Sequence, residues 1–417
     1  MGKLKNKVMD AAKKNVALRV VTKKGLKVYR TLRYVRYYLT NKVDDKTIVF
    51  ESFMGRAFSD SQKALYKEML KDDFFKDYTF VWAFKDEANY KHLEENKNTK
   101  VVKYGSKDFM KYMAKAKWWI TNSRLPEYLI KKKSQKYIQC WHGTPLKRLG
   151  FDIEVEGGNA LNTLKEIKEK YEDDAKRYDY MLSPSAFCTE KFASAFNLKK
   201  LKKEDVLVEL GYPRNDYLFN HTTEDVVKLK KELGIPLDKK VILYAPTWRD
   251  NQHQAGVGYT YDLNLDFDRL REKISDEYVI IFRTHYFVAS QFNFDKYKGF
   301  IFNMSSHDDV NECYILSDII ITDYSSVFFD YANLKRPMLF YMYDLDEYQG
   351  KLRDFYFGLD ELPGPIVKTQ DELENEILNI KDYDKKYNEK YTAFTNRFTY
   401  LDSGDCSKRV IEKIFKY

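Results

Sequence analysis

The sequence predicts an α/β protein built from two doubly wound domains, each a parallel sheet with helices on both faces. Three observations carry that reading. Short runs, apolar on both sides, recur along the chain with helix-length amphipathic stretches between them, as a parallel sheet covered on two faces requires. At 417 residues the chain is longer than one core comfortably serves. Finally, Gly234-Ile235-Pro236 reads as a helix stop that divides the strands into two series.

The first series of expected strands covers 47–53, 78–84, 100–104, 118–122, 137–141, 180–183 and 206–210. The second covers 241–244, 278–283, 319–322 and 338–341. Val, Ile, Phe, Tyr and Trp dominate these runs, which suits a buried pleated surface. Helical spacing is read at 60–70, 106–115, 161–177, 185–196 and 227–233. The chain is therefore divided into a basic segment over 1–45, a first domain over 46–234 and a second over 235–417. Ligands of such sheets sit beyond the carboxyl ends of the strands, so a cleft between the domains is where chemistry is expected.

Composition narrows the class. With 44% hydrophobic and 16% aromatic residues there is enough apolar surface for both cores, and 17 Gly with 9 Pro exclude collagen-like or low-complexity chain. Cys140, Cys188, Cys313 and Cys406 are far apart with no zinc spacing, which fits a reducing compartment and no disulfide framework. No metal or other cofactor is required by the residues, and Mg2+ stimulation is left open. Asp344-Leu345-Asp346 has the spacing of a metal-binding pair but reads as a surface loop.

Charge is unevenly placed. Residues 1–43 hold thirteen Lys/Arg against one acid, Asp10, a surplus of twelve within a net charge of +9, so the remainder carries −3. Val28, Leu32, Val35 and Leu39 recur at helical spacing, with Lys27, Arg30, Arg33 and Arg36 on other faces and Tyr29, Tyr34, Tyr37 and Tyr38 among them. A basic amphipathic helix lying on an anionic membrane surface is the expectation, at about 1 kcal/mol per surface cation. No apolar run approaches the roughly 20 residues needed to span a bilayer, no signal-peptide pattern is present, and no nucleic-acid motif accompanies the charge. A peripheral location on the cytoplasmic face of the membrane follows. Oligomeric state is not encoded in any pattern found.

Four strand ends are unusually polar: Trp141-His142-Gly143-Thr144-Pro145 with Lys147 beyond, Pro246-Thr247-Trp248-Arg249, Arg283-Thr284-His285, and Asp323-Tyr324-Ser325-Ser326 leading into a helix. Singly, each is an ordinary turn or cap. Jointly they suit an anionic ligand. Ser325 and Ser326 at a helix start offer hydroxyls and unbonded N–H groups to phosphate, Arg283 a bidentate grip and Lys147 a point charge. Gly143 permits close approach, and a histidine can take a proton from an attacking hydroxyl. Phosphoryl or glycosyl transfer from an activated nucleotide is the chemistry implied. No Walker loop, GxGxxG fingerprint, kinase signature or GxSxG elbow is present.

The segments WHGTPLKRLG (141–150), LGYPRND (210–216), YAPTWRD (244–250), FRTHY (282–286) and SDIIITDYSSVFFDYANLKRPMLFY (317–341) resemble the CDP-glycerol glycerophosphotransferase family. Its members are teichoic acid primases and poly(glycerol- or ribitol-phosphate) polymerases that are peripheral on the membrane. The resemblance implies a GT-B-like pair of Rossmann domains, acceptor-binding first and donor-binding second. It implies a general base at His142 and a phosphate-binding or catalytic role at His285. It also carries donor binding to Arg214, Pro246, Thr247, Arg283, Thr284, Asp323, Ser325 and Ser326. The implied donor is CDP-glycerol or CDP-ribitol, and the acceptor a lipid-linked saccharide or polyol-phosphate chain. Two rivals differ in their predictions: a GT-B glycosyltransferase would turn over nucleotide-sugars without CMP release, and a silent membrane-bound scaffold would turn over nothing.

Overall fold

A computed structural model describes residues 16–96, 98–154, 163–247, 253–254, 258–259, 264–284, 286–345 and 355–416. The strands are β1 (Asp44–Glu51), β2 (Thr79–Phe84), β3 (Thr99–Lys103), β4 (Ala116–Thr121), β5 (Lys136–Gln139), β6 (Tyr180–Ser183), β7 (Leu207–Glu209), β8 (Lys240–Ala245), β9 (His253–Gln254), β10 (Gly258–Tyr259), β11 (Tyr278–Phe282), β12 (Ile301–Asn303), β13 (Ile319–Thr322), β14 (Met338–Tyr341) and β15 (Ile366–Val367). Each run read as a strand forms one, ending within a few residues of its expected limits. β9, β10, β12 and β15 are additional to the expected strands: runs of two or three residues are too short to carry a periodicity.

Contacts group the chain into two compact units that interleave along it: 1–56, 72–139 and 177–179 in the first, and 57–71, 140–176 and 180–417 in the second. The first unit holds five parallel strands in the order β3-β2-β1-β4-β5. The second holds the parallel pair β6 and β7 and a six-stranded sheet ordered β12-β11-β8-β13-β14-β15. Numbered within that sheet the order is 3-2-1-4-5-6, the dinucleotide-fold order whose direction reverses between β8 and β13. Ile242 of β8 registers with Ile280 of β11 on one side and Ile319 of β13 on the other. This row of β-branched side chains is buried, as the continuous apolar runs require.

The expected helix stop is realised. Thr222 and Asp225 form a capping box at the start of the helix Thr223–Glu232. At its end the Gly234 N–H donates to the Lys231 carbonyl (3.2 Å) and the Ile235 N–H to that of Lys230 (2.8 Å). That is the Schellman pattern, with Gly234 at φ +69°.

In the first unit a helix runs from Val16 to Thr40, and residues 1–15 of the basic segment lie outside the described residues. Among the residues whose burial is described, Tyr34 is the side chain it buries, with its hydroxyl donating to the Ile130 carbonyl (3.2 Å) and its ring edge-on to Tyr128. The row expected to meet a membrane is not packed away: Leu32 is 66% and Leu39 74% exposed, Val28 is exposed and Val35 half-buried. No helix among the described residues is long and apolar enough to cross a membrane.

Candidate active site

At the reversal point of the six-stranded sheet, β8 and β13 run side by side and deliver Pro246-Thr247 and Asp323-Tyr324-Ser325-Ser326 to one edge. Two hydrogen bonds clip these strand ends together. The Thr247 N–H donates to Oδ1 of buried Asp323 (2.8 Å), and Thr322 Oγ1 donates to the Ala245 carbonyl (2.8 Å). Ser326 opens the helix Val327–Tyr331, and Ser325 Oγ accepts the Val327 N–H at 3.5 Å. That helix is only five residues long, so its macrodipole is slight. The tip therefore offers hydroxyls and first-turn N–H groups more than the field the sequence suggested.

The opposing wall is residues 141–149. β5 stops at Gln139, short of the expected 141, because Trp141 takes a left-handed conformation at φ 53°. A bulky residue holds such a conformation only where its surroundings over-determine it. Here the indole is edge-on to Phe196 (5.0 Å, 89°), with Phe192 and Tyr171 beside it. The sharp turn sends His142 outward; the imidazole is exposed and lies 4.2 Å from the Trp141 ring centre. Gly143 then passes Ser326 so closely that a Cβ there would sit 2.8 Å from Ser326 Oγ. Space rather than φ demands glycine.

Beyond it, buried Thr144 accepts a hydrogen bond from Cys188 Sγ (3.5 Å). Burial pushes the Cys188 thiol up to about 12, so it stays a neutral donor. The Leu146 carbonyl accepts the Tyr356 N–H (2.9 Å), and Lys147 pairs with Phe355 in an antiparallel bridge. Phe355 stacks on Tyr324 (6.0 Å, 16°), whose hydroxyl donates to Asp344 (3.1 Å). Asp344 is therefore occupied within the protein, and Asp346 lies outside the described residues.

Together these residues enclose a cleft of about 370 Å³ within the second unit. His142, Gly143, Thr144, Pro145 and Lys147 line one side, and Pro246, Thr247, Ser325 and Ser326 another. The volume suits a small polar ligand.

Other expected site residues are placed differently. Arg283 is half-buried, and its Nη1 donates to the carbonyls of Met304 (2.7 Å) and His307 (2.8 Å), bracing a loop. The Thr284 N–H donates to Ser305 Oγ (3.2 Å). Arg214 is 4% exposed, with its guanidinium between Asp60 and Asp330. Burial alone would pull its pKa down, but Asp330 and Asp60 hold it raised. Neither arginine lines the cleft. His285 and Arg249 lie outside the described residues.

A strained turn presenting an imidazole, facing a serine tip and a lysine, is an arrangement for moving a proton beside an anion. Residues 33–416 match the family described as CDP-glycerol:poly(glycerophosphate) glycerophosphotransferase. The chain belongs to this family. It is 40% identical over 399 residues to the teichoic acid poly(glycerol phosphate) polymerase of Bacillus spizizenii, spanning 94% of this chain and 99% of that relative. Against the Bacillus subtilis polymerase it is 42% identical over 376 residues, 90% of this chain but 49% of the longer relative. The wall teichoic acid polymerase TagF, as a histidine-to-asparagine variant soaked with CDPG, matches with a TM-score of 0.84 at 37% identity, over 98% of this chain and 97% of that chain. The fold is thus the GT-B-like pair of Rossmann-type α/β domains, and the enzyme class is transferase.

Sequence reading of this glycerophosphotransferase missed Trp141, Leu146, Leu149 and Tyr324 as cleft residues, and Asp60 and Asp330 as partners of Arg214. Tyr324 sits inside the polar strand end already singled out, so a signal existed. Nothing in local spacing pointed to Asp60.

Proposed function

We propose that this family member transfers glycerol phosphate from CDP-glycerol to a hydroxyl of a membrane-linked acceptor in wall teichoic acid synthesis, releasing CMP. The observation that carries the reading is the approach of the His142-Gly143 turn to the Ser325-Ser326 tip in one cleft. Identity of 40% and 42% to two poly(glycerol phosphate) polymerases, against 34% and 29% to two ribitol-phosphate polymerases, supports glycerol over ribitol in the donor.

In this mechanism the acceptor oxygen attacks the β-phosphorus of the donor, forming a new P–O bond. The bridging P–O bond of the diphosphate breaks and its electron pair leaves with CMP. His142, exposed at the lip, receives the hydroxyl proton; such assistance is typically worth about 10²–10⁴-fold. Ser325, Ser326 and the N–H groups behind them hold the diphosphate oxygens, and Lys147 adds a positive charge. Gly143 lets phosphate come against the backbone. His285 completes the phosphate grip by family resemblance. By family resemblance the donor is held mainly by the 235–417 domain and the acceptor by 46–234.

The helix Val16–Thr40 supports peripheral attachment to the membrane, because its exposed apolar row is flanked by cations. A lipid-linked acceptor exists only there, and surface attachment makes the search for it local.

The test is incubation with CDP-glycerol, CDP-ribitol or nucleotide-sugars, each with lipid-linked acceptors, following CMP release and product size. CMP release matching glycerol phosphate incorporated is expected. Turnover of a nucleotide-sugar with none of CDP-glycerol would overturn the reading.

A further inference from the structure

The buried cluster around Arg214 belongs to the LGYPRND motif, yet it lies away from the cleft. Arg214 Nη2 bonds both carboxylate oxygens of Asp330, Oδ2 at 2.9 Å and Oδ1 at 3.0 Å, and Nη1 meets Asp60 Oδ2 at 3.3 Å. All three side chains are buried. Asn215 Nδ2 donates to the same Asp330 (3.0 Å), and the guanidinium lies 4.3 Å over the Tyr212 ring. Asp60 holds a left-handed backbone at φ 64°, which is uncommon for a residue with a side chain though aspartate adopts it more readily than most. Two carboxylates, a guanidinium and an amide are therefore locked in one geometry, and none of them lines the cleft.

Asp330 stands on the helix Val327–Tyr331, one turn beyond Ser326. A helix this short is a rigid lever: holding Asp330 sets where Ser326 sits. Ser326 is also the residue against which Gly143 is packed. We propose that Arg214, Asp60 and Asp330 are positioning residues that hold the Ser325-Ser326 tip at its working distance from the His142-Gly143 turn. This assigns Arg214 a role different from the donor contact its motif implied. It rests on the transfer function above, since that function makes the tip's position matter. Cavity-filling apolar residues would pack such a site at least as stably as a buried ion triad does. What the ions add is a directional link among three separate elements, Asp60–Met69, Pro213–Asn215 and Val327–Tyr331.

The test uses the full chain with Asp330→Asn, which keeps the shape and removes the charge. Expected is a loss of about 10–10²-fold in kcat for CDP-glycerol transfer per folded molecule, because displacements near 1 Å cost that much, with KM little changed. In a Ser326→Ala background the same substitution should cost at most about threefold, since both act through one tip. Amide hydrogen exchange over 323–331 should accelerate in Asp330→Asn more than elsewhere in the sheet. Arg214→Lys keeps the charge without the fork and should repeat these effects more mildly, serving if Asp330→Asn does not fold. A lowered Tm with unchanged kcat and unchanged exchange at the tip would overturn the proposal, as would full additivity with Ser326→Ala. Failure of the wild-type protein to release CMP would instead overturn the functional reading, and the exchange measurement would still decide the anchor.

Discussion

Gly143 and Ser326 are in contact: a methyl group on Gly143 would lie 2.8 Å from Ser326 Oγ and 3.2 Å from its Cβ. Residues far apart in sequence thus form the two lips of one cleft. Gly143→Ala should push the tip away, costing about 1–3 kcal/mol in stability by overpacking and about tenfold or more in transfer. Ser326→Gly in the same chain should restore the stability but not the transfer. Melting temperatures and CMP release for the three variants check this.

His142 is exposed, so its replacement removes chemistry with little effect on packing. His142→Ala should melt like wild type and transfer about 10²–10⁴-fold more slowly. Near-wild-type transfer of label from CDP-glycerol would remove the base from the mechanism.

Arg283 braces the carbonyls of Met304 and His307. Arg283→Met should leave the Met304 carbonyl with the His307 N–H (3.1 Å) and take from the His307 carbonyl its guanidinium donor, costing about 1–3 kcal/mol if that oxygen stays dry. The signature of a brace is a fall in Tm; a rise in KM for CDP-glycerol at constant Tm would point to a phosphate contact instead.

Glu312 predicts an acid limb. Burial by itself would raise its pKa, but the hydrogen bond from His307 and the charge of Lys63 outweigh this and hold it at about 2. A carboxylate depressed in the folded state contributes stability that is complete above its ordinary pKa and is lost as pH falls toward 2. The contribution is on the order of 3 kcal/mol. Glu312→Gln should therefore show a flatter Tm between pH 5 and about 3 than wild type; parallel curves would count against it.

Membrane attachment is best tested on exposed positions. Deleting the helix would also remove Tyr34, which is buried and bonded to Ile130. Leu32→Glu with Leu39→Glu leaves that contact intact and should weaken binding to anionic vesicles, measured by sedimentation, by tenfold or more. Unchanged binding would move the attachment elsewhere.

Much of the fold was legible because it is local or periodic. Ile319–Thr322, three isoleucines and a threonine between Asp318 and Asp323, and Met338–Tyr341 are both buried runs, and each forms where expected. Gly234 ends its helix by a pattern contained in a few residues. The polar strand ends flagged the cleft because a sheet with this topology exposes its ligands there. The partners of the guanidiniums were not legible, for the complementary reason. Arginine beside a strand end reads as a phosphate grip, and only its partners tell whether the charge is already satisfied.

The amino-acid order alone determined the α/β class with its parallel sheets, the family and the identity of the imidazole at the lip. These follow from spacing, composition and motif, which are properties of neighbours along the chain. Tertiary structure alone decided that Arg214 is enclosed by Asp60 and Asp330, 154 and 116 residues away, and that Gly143 is pressed against Ser326. Such pairings depend on how finished elements pack, and burial then makes a charge either a ligand for substrate or a fastening within the protein.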